Sequence, residues 1–283
     1  MRARRRINSI FSFNIFEKGF GNIELERLST NRFDPQYKIR REEIKLVMDD
    51  LFIQRKSKVL EIGCGSGLQS TFLSEKTDFL VCSDITFENL AFKKLCLVRC
   101  AAENLPFKKD SFNIVYSSNV LEHVKDRRLT LKEMKRVLEK DGILVCSVPT
   151  SFWKILQLLL DYPKKLCSFV KWSKKQKRNQ QVQHGYQGMV STLSKWWKLS
   201  VHGEFECNRE EFVAYMLKRW LHLFQVNGFH VFKVKKLLLY APLKPFGLRA
   251  KNITILPGWL KLEKITGLCS CMAFFATLIS DSP

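Results

Sequence analysis

Three glycines alternate with other residues in the short stretch Gly63-Cys64-Gly65-Ser66-Gly67, which follows the apolar run Lys58–Ile62. Glycine has no Cβ, so a turn of this kind can adopt positive φ angles and lets a ligand contact the backbone. A helix that begins near Gly67 would point free N–H groups at the same place. These residues therefore predict a ligand-binding turn between a buried strand and a helix.

The spacing of the glycines separates two kinds of ligand. Dinucleotide-binding folds use G-x-G-x-x-G, in which the third glycine packs the helix against the strand beside a pyrophosphate. Here the spacing is G-x-G-x-G, and Leu68 stands where that third glycine would fall. Glu61, two residues before the first glycine, would repel a pyrophosphate but would favour a ligand that carries an ammonium and a sulfonium.

Strands and helices alternate on both sides of this turn. Apolar runs predict strands at Lys58–Ile62, Phe79–Ser83, Leu97–Ala101, Phe112–Ser117, Gly142–Val148, Phe229–Tyr240 and Cys271–Ser280. Helical patterns lie between them, among them a short one at Phe87–Leu95 and a long one at Asn208–Asn227 that begins with a capping signal from Asn208 and Glu211. This alternation predicts an α/β fold built on a seven-stranded, mostly parallel sheet flanked by helices.

Five motifs in residues 58–149 occur in the order found in one family. They are Glu61-x-Gly63-x-Gly65-x-Gly67, Asp84 after the second strand, Ala102-Glu-Asn-Leu-Pro-Phe107 with Asp110-Ser-Phe112, Ser117-Ser-Asn-Val-Leu-Glu-His-Val124, and the helix, D-G turn and strand of Leu131–Pro149. With these motifs the chain resembles the Rossmann-like class I methyltransferases that use S-adenosylmethionine, especially their type 11 group. The resemblance implies a Rossmann-like fold, S-adenosylmethionine as the cofactor and methyl transfer as the activity.

The resemblance also assigns roles around the cofactor. Asp84 would accept hydrogen bonds from the ribose hydroxyls. The family often has an aspartate that binds the adenine amino group where this chain has Ala101, so adenine recognition would depend on Ala102 and Glu103. The residues that the resemblance places at the cofactor are Glu61, Gly63, Cys64, Gly65, Gly67, Asp84, Ile85, Ala102, Glu103 and Ser117.

The reaction itself makes few demands on catalytic side chains. Methyl transfer from a sulfonium is an in-line displacement, which depends mainly on the alignment of donor and acceptor. A base is needed only where the acceptor must lose a proton, as a hydroxyl or phenol does.

Two short motifs supply the catalytic candidates Glu122, His123 and His202. By the resemblance, Glu122 and His123 follow the fourth strand, where the acceptor and the methionine end meet. They could be polar residues at a helix start, or His123 could position the acceptor or act as a base. A metal site is not predicted, because Asn119 replaces the first acidic residue of the E-x-x-E-H pattern of some relatives. His202, in His202-Gly-Glu204, is the second candidate to face the acceptor.

Positive charge is concentrated in the C-terminal part of the chain. Residues 1–150 carry 27 basic and 20 acidic side chains, whereas residues 151–283 carry 21 and 7, within a net charge of +21. From Pro163 to Gly203 no acidic residue occurs, tryptophans are interleaved with lysines, and the apolar run Phe152–Leu160 precedes them. Such a composition is typical of an interfacial membrane segment or of an aromatic, basic surface for nucleic acid. A solvated insertion is the third alternative.

These patterns divide the chain into four segments. They are a basic N-terminal arm (1–34), the S-adenosylmethionine-binding core (35–149), a basic, Trp-rich cap inserted after the fifth strand (150–207), and a C-terminal part that completes the sheet (208–283). The cap follows a strand at the carboxyl edge of the sheet, where α/β folds bind ligands, so it would cover the acceptor.

The predicted function is methyl transfer to a small-molecule or lipid-linked acceptor, with peripheral contact to an anionic membrane. An RNA methyltransferase and a non-catalytic S-adenosylmethionine-binding partner subunit are the alternatives. No stretch approaches the roughly 18 consecutive apolar residues of a membrane-spanning helix. The nine cysteines contain no C-x-x-C pair, which favours free thiols in the cytoplasm over a zinc site. The sequence leaves the oligomeric state open.

Overall fold

The computed structural model describes residues 35–86, 96–159, 201, 203–238 and 268–279. The predicted arm, the predicted helix at Phe87–Leu95, His202 and most of the predicted cap lie outside these residues. Among the described helices, none has the length and apolar character that a bilayer crossing requires.

The strands are β1 (Lys58–Ile62), β2 (Phe79–Asp84), β3 (Cys96–Arg99), β4 (Phe112–Ser118), β5 (Leu138–Pro149), β6 (Phe229–Lys236) and β7 (Cys271–Leu278). The helices are α1 (Pro35–Met48), α2 (Leu68–Ser74), α3 (Arg127–Val137), α4 (residues 151–159), α5 (Asn208–Ala214) and α6 (Leu217–Val226).

The seven strands form one sheet in the order β3-β2-β1-β4-β5-β7-β6. The first five strands of that order pair in parallel, and β7 lies antiparallel to both of its neighbours. This arrangement confirms the predicted Rossmann-like, seven-stranded, mostly parallel sheet. The predicted strand positions are confirmed, although β5 begins earlier than its apolar run and β6 ends before Leu237.

Apolar side chains are buried on both faces of the sheet. One cluster includes Leu60, Leu131 and Met134, and α3 covers that face. A second cluster on the other face includes Val59 and Ile44 of α1. Burial on both faces explains why the central strands are continuous apolar runs without polar alternation. The apolar face of α3 packs against the sheet, and Asp126 caps the helix by accepting a hydrogen bond from the Leu129 amide at 2.9 Å. Together these two features position the segment that precedes the helix.

The single helix predicted over Asn208–Asn227 is wrong. The structure has two helices, α5 and α6, separated at Tyr215 and Met216, and Met216 has the extended angles φ −65° and ψ 136°. Tyr215 is buried and its ring stacks on Trp220 at 6.3 Å between centroids. Tyr215 also packs against Trp153 and Phe205, at 6.5 and 5.4 Å between ring centres, and nothing in the local pattern of the helix indicates these contacts.

The predicted capping role of Glu211 is also replaced by a long-range contact. The Glu211 carboxylate is fully buried and lies 2.6 Å from Nζ of Lys154, which is equally buried. Ser151 adds two hydrogen bonds, from its hydroxyl to the Phe212 carbonyl (2.9 Å) and from its amide to the Tyr215 carbonyl (3.2 Å). We call Ser151, Lys154, Glu211 and Tyr215 the neck, because they join α4 to α5 across the predicted cap. Removal of one partner from such a buried pair costs about 3–5 kcal/mol, so the neck fixes the two ends of the intervening chain.

Candidate functional site

A cavity of about 760 Å³ lies at the carboxyl ends of β1, β2, β3 and β4. Ligands of α/β folds bind at this edge, and the volume falls within the range of small-molecule and cofactor sites. We call it the reaction cavity. Its wall is formed by Ile62, Gly63, Ser83, Asp84, Ile85, Cys100, Ala101, Ala102, Glu103, Asn119, Val120, His123, Val124, Lys125, Asp126, Leu129 and Glu204.

The predicted site residues fall into three groups. Those on the wall are Gly63, Asp84, Ile85, Ala102, Glu103 and His123. Those in the described chain but off the wall are Glu61, Cys64, Gly65, Gly67, Ser117 and Glu122. His202 lies outside the described residues, so its role stays a prediction.

The glycine turn has the geometry that its sequence predicts. Gly63, Gly65 and Gly67 have φ angles of 72°, 52° and 74°. The Ser83 carbonyl at the end of β2 accepts hydrogen bonds from the amides of Gly63 (2.8 Å) and Cys64 (3.1 Å). A Cβ on Gly63 would lie 2.2 Å from Cγ2 of Val120, whereas one on Gly65 would meet nothing within 4 Å. Glycine is therefore required at position 63 by both its φ angle and its packing, and at position 65 by its φ angle alone.

Asp84 ties the turn to the end of β2. Its Oδ2 accepts a hydrogen bond from the Gly65 amide at 2.7 Å, and its Oδ1 accepts one from the Thr86 amide at 3.1 Å. An ionised carboxylate has about four acceptor sites, so two backbone donors leave capacity for further hydrogen bonds. The carboxylate is thus held by the backbone on the cavity wall, where it can accept from the hydroxyls of a ligand.

Glu61 lies behind the glycine turn, off the cavity wall. Its carboxylate is 2% exposed and accepts a hydrogen bond from the Ser70 hydroxyl of α2. Burial, with a smaller contribution from the nearby negative charge of Asp84, raises the pKa of Glu61 to about 7. Glu61 therefore links β1 to α2 beneath the glycine turn. Any electrostatic effect of Glu61 on a cationic ligand in the cavity acts across that turn.

The segment that follows β4 forms another part of the wall. Asn119 has a φ of 54°, uncommon for a residue other than glycine, and its amide donates to the Ser147 carbonyl at 2.9 Å. His123 follows on the wall itself. The pKa of His123 is lowered by partial burial and by Arg40, while Glu204 acts in the opposite direction. The imidazole is therefore neutral at neutral pH, which is the form that accepts a proton.

Glu122 points away from the cavity. It is fully buried, and neither of its carboxylate oxygens has a hydrogen-bond partner on another residue of the described chain. Burial raises the pKa of Glu122 to about 8. A group in this state is protonated at neutral pH, so Glu122 is placed to support the loop rather than to contact the acceptor.

The chain returns to this loop after the predicted cap. The Glu204 amide donates to the Glu122 carbonyl at 3.0 Å, and Glu204 lines the reaction cavity near His123. Gly203 has a φ of 84°, and a Cβ there would lie 2.1 Å from the same carbonyl oxygen. Sequence reasoning singled out His202 of this H-G-E motif and missed Glu204. The glycine between them was the available signal, because it permits the close backbone approach.

The wall residues fit S-adenosylmethionine. Asp84 has acceptor sites free for the ribose hydroxyls, and the glycine turn brings the backbone to the cavity without side chains. Ile85, which is 65% exposed, and Ala102 offer apolar surface for the adenine ring. The Glu103 carboxylate accepts from the Lys125 amide at 3.0 Å, which connects this wall to the loop after β4. The fold and the residues of this wall are those expected of a class I S-adenosylmethionine-dependent methyltransferase domain.

Sequence comparison gives the same family. Residues 60–146 match the model described as a methyltransferase domain. Demethylmenaquinone methyltransferases of Staphylococcus aureus strains JH9 and Newman are each 32% identical over 141 residues, which cover 45% of this chain and 57% of each relative. The matched region thus spans little more than half the length of these curated relatives.

Solved structures of low sequence identity share the fold. A chain of the complex between the Trm112 methyltransferase activator of Haloferax volcanii and its methyltransferase partner has a TM-score of 0.55 at 14% identity, covering 89% of this chain and 95% of that one. An S-adenosylmethionine-dependent methyltransferase from Aquifex aeolicus has a TM-score of 0.50 at 11% identity, with coverages of 88% and 96%. These structures confirm the predicted Rossmann-like fold, and the match over residues 60–146 supports the predicted methyltransferase domain.

Proposed function

We propose that this protein transfers the methyl group of S-adenosylmethionine to a small-molecule or lipid-linked acceptor. The observation that carries the proposal is the composition of one cavity wall. The glycine turn and Asp84 form the part suited to the cofactor, and His123 and Glu204 form the part that an acceptor would meet.

When bound, S-adenosylmethionine supplies a methyl group on a positively charged sulfur. The protein contributes alignment, because the turn and Asp84 fix one reactant and the loop after β4 fixes the other. Gly63 and Asp84 would hold the cofactor, whose sulfonium would supply the methyl carbon to a nucleophilic atom of the acceptor. The neutral imidazole of His123 can take a proton from a hydroxyl acceptor, and the negative charge of Glu204 stabilises the imidazolium that results.

The acceptor class rests on two lines of support. The Staphylococcus aureus relatives are named for demethylmenaquinone, a small molecule. In addition, Ile155 and Leu159, four residues apart on α4, are 39% and 63% exposed at the point where the predicted cap begins. An exposed apolar pair beside a basic segment suits contact with a membrane or a lipid-linked acceptor.

The deciding experiment traces radiolabelled methyl from S-adenosylmethionine into cell extract fractionated as lipid, RNA, protein and small molecules. We expect label in the lipid or small-molecule fraction with the wild type and none with Gly63→Val. Label in RNA alone would replace the proposal with the RNA methyltransferase. Cofactor binding by calorimetry without label in any fraction would favour the non-catalytic partner subunit.

The same assay tests His123. His123→Ala should lower turnover while cofactor affinity stays within about threefold, a change below ~1 kcal/mol. Unchanged turnover would show that the acceptor needs no base from this residue. His202→Ala is the parallel test of the second predicted histidine.

We further propose that the acid-free segment 163–203 contacts an anionic membrane. Its lysines would each contribute about 1 kcal/mol near the surface, and salt would weaken the binding without abolishing it. The measurement compares cosedimentation with anionic vesicles and RNA gel shifts, for the wild type and a Lys171/Lys174/Lys175/Lys177→Glu variant. RNA binding that falls log-linearly with salt and is lost in the variant, without vesicle binding in low salt, would overturn this proposal.

A further inference from the structure

A second cavity, of about 360 Å³, adjoins the reaction cavity. Lys125 and Asp126 line both cavities, so the two lie on either side of these residues, just before α3. We call it the basic groove. Its polar side chains, apart from Asp126, are Lys125, Arg127, Arg128, Arg219, Trp220 and His222.

The groove offers hydrogen-bond donors but almost no acceptors. Its single carboxylate, Asp126, already accepts the Leu129 amide as the N-cap of α3. In the part of the chain that the structure describes, no ion pair involves Arg127, Arg128 or Arg219. Among the described side chains that line the groove, positive charges therefore outnumber the single carboxylate.

Two of these arginines occupy an unfavourable place on their helix. Arg127 and Arg128 are the first two residues of α3, whose first turn contains no acidic residue. The N-terminus of a helix carries partial positive charge, which disfavours cations there, and the Asp126 carboxylate at the N-cap offsets only one of the two. An anion in the groove would meet the arginines and the helix dipole together.

Trp220 provides an independent observation of an unfilled site. The residue is 1% exposed, it lines the groove, and its indole Nε1 has no hydrogen-bond partner among the described residues. Nη2 of Arg127 is likewise buried without a partner there, although its Nε donates to the Leu121 carbonyl at 2.9 Å and its guanidinium lies 4.2 Å from the ring centre of Phe205. A buried donor without an acceptor is destabilising, so an oxyanion close to this wall of the groove would be favourable.

We propose that the basic groove binds a phosphate group carried by the acceptor. This inference rests on the proposed methyltransferase function, because the groove adjoins the reaction cavity on the side of His123 rather than that of the glycine turn. Arginine guanidinium groups and an indole N–H match the acceptor oxygens of a phosphate. The phosphate could belong to a lipid headgroup or to a soluble phosphate ester.

The test is a titration of the protein with sodium pyrophosphate, followed by the indole N–H resonance of Trp220. Trp220→Phe serves only to assign that resonance. We expect the resonance to shift on saturation, and an Arg128→Gln/Arg219→Gln variant to bind at least about tenfold more weakly. A Lys132→Gln/Lys218→Gln variant is the matched control, since it removes the same charge from exposed positions of the same two helices outside the groove.

Each outcome decides one point. Equal weakening in both double variants, or no shift of the Trp220 resonance in the wild type, would overturn the proposal. Vesicles of phosphatidylcholine with and without phosphatidic acid separate the sources: groove-dependent binding to the anionic vesicles indicates a lipid headgroup, and its absence with retained pyrophosphate binding indicates a soluble ester. Calorimetry with S-adenosylmethionine on every variant separates the two proposals. Absent cofactor binding would refute the methyltransferase function, whereas absent anion binding alone would refute only the groove.

Discussion

The two sides of the reaction cavity are built in different ways. On the side that we propose for the cofactor, backbone amides do most of the positioning, as those of Gly65 and Thr86 hold Asp84. On the acceptor side, Glu122 and Glu204 come together although 82 positions separate them, and a buried carboxylate without a partner supports the loop. Local backbone geometry fixes the first side, and long-range packing fixes the second.

The largest expected effect breaks the cofactor side. Gly63→Ala should abolish cofactor binding and lower the free energy of unfolding by about 2–5 kcal/mol. A positive φ costs roughly 1–2 kcal/mol for alanine, and the clash with Val120 adds roughly 1–3 kcal/mol. Gly65→Ala is the control, since it has the φ penalty without the clash. Urea unfolding and calorimetry measure both variants, and equal losses would contradict the packing argument.

The next prediction concerns the buried carboxylate on the acceptor side. The pKa of Glu122 is raised from its ordinary 4.5 to about 8, so the folded state holds a proton that the unfolded state releases. Stability from this group is therefore highest below about pH 4.5 and declines as the pH rises towards 8. Glu122→Gln should remove that decline and be more stable than the wild type at pH 8, by on the order of a few kcal/mol.

Urea unfolding across this pH range measures the slope for Glu122→Gln and for Glu75→Gln, whose side chain lies at the surface. The second variant should keep the slope of the wild type. A slope that is identical in all three proteins would show that Glu122 is ionised in the folded state.

A third substitution tests how the backbone holds the cofactor-side carboxylate. Asp84→Ala should weaken S-adenosylmethionine binding by about 1.5–3 kcal/mol, the usual range for hydrogen bonds to a charged group. Asp84→Asn should weaken it less, because one oxygen still accepts an amide. Calorimetry gives both values, and an unchanged dissociation constant for Asp84→Ala would mean that the ribose lies elsewhere.

The smallest effect should come from Glu204 on the acceptor side. Glu204→Gln removes a nearby charge that raises the pKa of His123, so the pKa of this histidine should fall further. Titration of the His123 resonance by NMR measures the change, with Glu206→Gln as a control at an exposed neighbouring position. Cofactor affinity should stay within about threefold, under ~1 kcal/mol. A cofactor affinity that falls as it does for Asp84→Ala would erase the distinction between the two sides.

The same distinction explains what the sequence could predict. The apolar runs locate the seven strands, because burial on both faces leaves a continuous pattern in the chain itself. The glycine turn and Asp84 are equally visible, since their spacing determines their contacts. By contrast, the break between α5 and α6 falls where Tyr215 packs against Trp153, and Glu211 meets Lys154 instead of capping its own helix.

Glu61 and Glu204 show where sequence reasoning about the site reached its limit. The position of Glu61 beside the glycines is correct along the chain, but strand alternation turns its side chain towards Ser70 beneath the turn. Glu204 reaches the cavity through a backbone contact with Glu122, which depends on the tertiary path of the chain. Motif spacing cannot reveal such a path.

The neck has a consequence for the length of the segment that it encloses. Lys154, Glu211 and Ser151 join the two ends of the intervening segment within the folded core. The entropic cost of a longer closed loop rises slowly, by only about 0.6 kcal/mol for each doubling of its length. Residues added to or removed from the middle of this segment should therefore change the free energy of unfolding little, provided that the neck is kept.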